Sequence, residues 1–100
     1  MFNIWRYILI NYQIMEAKKN VIEIVKKATN QFEYDEHYYF TEVVVVEGKT
    51  SIRSTGDIWK ATRFNNMKPK EAEMWCNFIK AYFGKHYEIN IKTISLIYDI

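Results

Sequence analysis

The stretch whose reading decides the fold is residues 14–30, IMEAKKNVIEIVKKATN. Ile14, Ala17, Val21, Ile22, Val25 and Ala28 recur at three- and four-residue steps, a spacing that a helix converts into one apolar face. Glu16, Lys19, Glu23, Lys26 and Lys27 fall outside that stripe, and Glu23 precedes Lys27 by four residues, the favourable order for a helical ion pair. The spacing predicts a helix over about 14–30.

On either side the period shortens to two. Upstream, Phe2 to Gln13 is rich in β-branched and aromatic residues on both parities, which predicts a central strand with Arg6 near its open end. Downstream, His37 to Glu47 carries Tyr38, Tyr39, Phe40 and four consecutive valines, a strand composition. Glu47-Gly48-Lys49 supplies turn chemistry, and Thr50 to Ser54 returns as an antiparallel partner. Residues 58–64 read either as a strand or as one helical turn capped by Asp57.

Pro69 suits a first helical position, Glu71 and Glu73 suit the positive first turn, and Gly84 suits the stop. Ala72, Trp75, Phe78, Ile79 and Tyr82 form the expected buried stripe. The last segment, Tyr87 to Ile100, is a strand whose apolar parity switches between Ile91 and Ile94, so a bulge is expected near Lys92 and Thr93. Strand, helix, strand, strand, helix, strand is a βαββαβ order. It predicts a single α+β domain over residues 1–100, a ferredoxin-like sandwich with two helices on one face of an antiparallel sheet. That fold hosts many activities and assigns none.

Composition narrows the function classes. Hydrophobic residues at 49% and charged ones at 26% match an ordinary globular chain and argue against disorder. Cys76 is the lone cysteine, which rules out an intrachain disulfide and a multi-cysteine zinc site and fits a reducing, cytoplasmic setting. The apolar runs Ile8 to Ile10 and Val43 to Val46 are too short for a membrane span, and no signal-peptide core is recognisable. Abundant Ile, Asn, Lys and Tyr fit AT-rich codons, hence a low-GC organism or one of its phages or plasmids.

Catalytic patterns are missing. Gly48, Gly56 and Gly84 stand apart, so no glycine-rich phosphate loop or nucleophile elbow forms. Asp35 with His37 and His86 with Glu88 are i,i+2 pairs that could face a metal, but the expected topology sets their strands at opposite edges. Cys76 has Lys80 one turn away as its one activating charge and otherwise suits a half-buried packing position. The expectation is therefore a protein without cofactor or metal that is not an enzyme.

Charge layout gives the binding expectations. Glu33, Asp35, Glu36, Glu42 and Glu47 occupy 33–47 without a Lys or Arg, whereas 49–70 holds six Lys and Arg residues against Asp57. Tyr34, Asp35, Glu36 and Tyr38 form an acidic, aromatic segment suited to docking on a basic protein partner. This is the leading expectation: an inhibitor or adaptor, with a counter-defence protein of anti-CRISPR type as one subclass and a homodimer through a sheet edge as one assembly. The alternative is nucleic-acid binding by Lys49, Arg53, Trp59, Lys60, Arg63 and Phe64, with cations on phosphates and rings on bases. A small dimeric ferredoxin-like enzyme, its pocket lined by His86 or Trp59, comes third.

Overall fold

The computed structural model describes residues 15–98; the expected N-terminal strand Phe2 to Gln13 lies outside the described residues. The elements are β1 (Met15–Lys26), β2 (Glu36–Val46), β3 (Lys49–Thr55), β4 (Phe64–Asn65), α1 (Pro69–Phe83) and β5 (Tyr87–Tyr98). Short 3-10 turns cover Ile58–Lys60 and Gly84–His86. All strand pairs are antiparallel, in the order β3-β2-β1-β4, with β5 along the other side of β1.

This overturns the ferredoxin-like expectation. Residues 15–26 are the central strand of a five-stranded curled sheet, and α1 is the one α-helix among the described residues. The physical reason lies in Val21-Ile22-Glu23-Ile24-Val25, where four of five residues are β-branched and lose side-chain freedom in a helix. From Asn20 through Val25 every residue is buried, which a one-sided helical stripe cannot produce. Strand β1 buries both faces because it is flanked on both edges and covered above and below.

Even-numbered Ile22 and Ile24 face α1 and join Phe40, Phe64, Ala72, Cys76, Ile79 and Ile89 in the main core. Odd-numbered Val21 joins Ala61, Ile94 and Leu96 on the opposite face, beneath Tyr39 and the Ile58 turn. The apolar parity switch in β5 follows from this division. No bulge occurs near Lys92 and Thr93, because β5 pairs with β1 in unbroken register from Tyr87↔Lys26 to Tyr98↔Met15. Ile89 serves the helix side and Ile94 and Leu96 the other side, at different ends of one regular strand.

The irregularity falls instead in β2. Phe40 pairs with Ser54 and Glu42 with Arg53, which leaves Thr41 as the extra residue of a bulge. The bulge lets both Phe40 and Val43 face the main core. Thr62 closes it: its N–H donates to the Phe40 carbonyl at 3.0 Å, and its hydroxyl donates to the Thr41 carbonyl. The chain thereby enters β4, which pairs with Lys19 and Asn20 where β2 has left β1. Glu47 and Gly48 both have positive φ, 51° and 76°, and close the β2–β3 hairpin as a two-residue turn.

Helix α1 has Pro69 in its first turn and ends at Gly84. Its buried side is Ala72, Cys76 and Ile79, with Trp75 and Phe83 half-buried, so the stripe is rotated from the expected one; Phe78 and Tyr82 are exposed. Gly84 has φ 73° and ψ −164°, a region open to glycine alone, and a Cβ there would meet no atom within 4 Å. Gly84→Ala is therefore expected to cost about 1–3 kcal/mol through backbone strain without a clash. Urea unfolding measures this; Lys85→Ala, next door, should change stability by less than about 0.5 kcal/mol.

Candidate functional site

The loop between β1 and β2, residues 27–35, is organised by its own polar groups. Ala28 N–H donates to Asp35 Oδ1 at 2.8 Å. Thr29 donates to Glu33 Oε2 from its N–H at 3.3 Å and its hydroxyl at 2.9 Å, and Phe32 N–H donates to Asn30 Oδ1 at 2.8 Å. Lys27 Nζ lies 2.7 Å from Glu88 Oε2 and 3.6 Å from Asp35 Oδ2, tying the loop to β5. The Ala28 N–H, ahead of Lys27, holds the Asp35 carboxyl below its ordinary value, and the Thr29 hydroxyl does the same for Glu33. The Glu88 carboxylate raises the Lys27 pKa, first through the hydrogen bond and then through charge.

With the backbone so fixed, two rings remain outside. Phe32 is 84% and Tyr34 91% exposed. Of the expected protein-docking residues, Tyr34 is thus fully presented. Asp35 is committed to the loop, Glu36 accepts from the Tyr38 hydroxyl at 2.8 Å, and Tyr38 packs half-buried against the main core. Phe32 escaped sequence reading, although a large apolar residue between Gln31 and Glu33, outside any strand or helix period, is a detectable signal.

The expected nucleic-acid set is dispersed. Phe64 is buried in the main core and stacks against Phe40 with centroids 6.4 Å apart, so it is unavailable to a base. Arg53 Nη1 lies 3.5 Å from Glu42 Oε1 across the hairpin. Lys49 starts β3 at the hairpin tip, whereas Trp59 and Lys60 lie in the 3-10 turn beyond its other end, roughly 20 Å away at strand rise. Trp59 N–H donates to Asp57 Oδ1 at 3.0 Å, which shows the Asp57-capped turn, and Arg63 Nη2 donates to the Trp59 carbonyl at 3.1 Å. Trp59, Lys60 and Arg63 stay exposed.

Of the possible metal ligands, Asp35, His37 and Glu88 are taken up by other partners. Lys27 stands between Asp35 and Glu88, His37 turns to Glu23, and no group of three or more metal-ligating residues forms among the described residues. Cys76 is buried beneath α1, with its thiol 3.9 Å from the Ile89 carbonyl. Burial pushes that thiol above its ordinary pKa, and the opposing pull of Lys80 is weaker.

On the sheet face away from α1, Glu23 is 3% exposed. Its Oε2 lies 2.8 Å from Lys92 Nζ and 3.2 Å from His37 Nδ1. Burial alone would raise the Glu23 carboxyl; the hydrogen bonds and charges of Lys92 and His37 reverse this and leave it below its ordinary value. It is a satisfied structural ion pair. No helix of the described residues is long and apolar enough to cross a membrane. No known protein family, curated protein or solved structure matches this chain.

Proposed function

We propose that the chain is a non-catalytic docking protein that engages a protein partner through the 27–35 loop and the adjoining Glu36. The observation that carries this reading is the exposure of Phe32 and Tyr34 on a loop whose backbone is already hydrogen-bonded into place. Aromatic side chains bury much area at low entropic cost, and a preordered loop spares the ordering penalty on binding. The carboxylates of Glu33 and Glu36 beside the rings favour a partner with basic residues around an apolar pocket. An inhibitor or adaptor inside the cell, of the counter-defence kind among others, fits this chemistry. Pairing of a second copy along β5, whose outer edge has no strand partner among the described residues, is compatible with it.

The test compares wild type with Phe32→Ala/Tyr34→Ala, immobilised and exposed to extract of the host cell. Both rings are exposed, so the double variant is expected to keep the wild-type melting temperature. It should lose the retained partner, since two central anchors together contribute at least about 2 kcal/mol, a thirtyfold loss in affinity or more. An unchanged set of retained proteins would sink the reading. Exposed Trp59 beside Lys60 and Arg63 supports nucleic-acid binding as the second reading. Anisotropy with labelled oligonucleotides at two salt concentrations separates it from the first.

A further inference from the structure

The 27–35 loop has another side. An open cleft of about 590 Å³ lies between the root of this loop and the 3-10 turn after α1, lined by Lys26, Lys27, Ala28, Thr29, Lys85, His86 and Tyr87. Four of these seven side chains can be cationic and none is a carboxylate. Asp35 and Glu88 pair with Lys27 in the cleft wall, Glu33 accepts from Thr29 and Glu36 from Tyr38, so the cations left to a ligand are Lys26, Lys85 and His86. Among the described residues Lys26, Lys85 and His86 take part in no ion pair and are exposed.

The walls are fixed at both sides. Gly84 redirects the chain at the end of α1, and the following turn is held to β1 by Lys27 N–H donating to the His86 carbonyl at 3.5 Å. Tyr87 is anchored against Phe83, centroids 4.7 Å apart. We propose that this cleft binds a small phosphorylated ligand, with Lys26, Lys85 and His86 contacting the phosphate oxygens. A volume of this size suits a mononucleotide or a polyphosphate. A groove bounded by a loop and a turn suits a compact ligand better than a continuous strand. The proposal does not depend on the docking reading, because Phe32 and Tyr34 do not line the cleft.

The experiment is a titration of ¹⁵N-labelled full chain, followed by amide chemical shifts, with chloride holding the ionic strength constant. Pyrophosphate and adenosine triphosphate are the two probes, and a single-stranded oligonucleotide is the third arm. Saturable shifts confined to the amides around Thr29, Lys85, His86 and Tyr87 are expected with at least one small probe. Lys26→Gln/Lys85→Gln should weaken that binding by about tenfold or more, as loss of charge-assisted contacts does, while its uncomplexed spectrum stays that of a folded chain. Tighter binding of the triphosphate would show that the nucleoside adds contacts, and equal binding that phosphate alone is recognised; both support the site. The proposal is overturned if neither small probe saturates, if the double variant binds equally well, or if only the oligonucleotide moves these amides.

Discussion

Phe40→Ala is expected to lower the unfolding free energy by about 3–5 kcal/mol, a large part of what a domain of this size possesses. Phe40 is buried and stacks against Phe64 at 6.4 Å and Trp75 at 5.6 Å, so its ring joins β2, β4 and α1. It also precedes the Thr41 bulge, and its carbonyl accepts from Thr62. Truncation would leave a cavity where the chain changes neighbours, and little there can collapse to fill it. Denaturant midpoints measure the loss. Val46→Ala, on the exposed end of the same strand, should remain within about 0.5 kcal/mol of wild type. Equal effects at the two positions would contradict this account of the core.

The second large effect concerns Glu23. Lys92→Met is expected to cost about 1.5–3 kcal/mol at neutral pH, below the figure for a fully buried pair because Lys92 itself is half-exposed. The variant leaves a buried carboxylate with His37 as its remaining partner. Replacing both residues, as Glu23→Leu/Lys92→Met, should recover most of the loss, since removing a buried pair together leaves no uncompensated charge.

Acidification distinguishes the wild type from Lys92→Met. In the wild type the folded-state pKa of Glu23 is depressed, so its contribution is complete above the unfolded value and is lost as pH falls through the folded value. In Lys92→Met, burial is opposed by His37 alone, so the Glu23 pKa lies above its wild-type value and the folded variant takes up the proton at higher pH. The stability gap between wild type and Lys92→Met should therefore narrow from pH 7 towards pH 4. A gap that widens or stays constant over that range would show that Lys92 acts through packing alone.

Where a local signal dictates a local structure, the sequence was a sufficient guide. Pro69 and Gly84 bracket α1 because one ring fixes φ at the start and one missing Cβ permits φ 73° at the end. Glu47-Gly48 reverses the chain between two strands, and Asp57 caps one 3-10 turn, each through bonds spanning a few residues. The acidic, aromatic character of 33–38 was equally legible, and it locates the loop that presents Tyr34.

What the sequence could not decide was which neighbours each residue meets. Val21, Ile22 and Val25 fit a helical stripe as well as a strand buried on both faces, because a short apolar run satisfies both periods. The choice rests on β5, more than sixty residues further along, which pairs with all of β1. The same distance effect took Phe64 from the expected basic surface into the core, and brought Asp35 and Glu88, expected at opposite edges, onto the one ammonium of Lys27. Local chemistry thus set the turns, caps and charge pattern. Strand pairing across the whole chain set the faces, because burial belongs to contacts that sequence spacing does not encode.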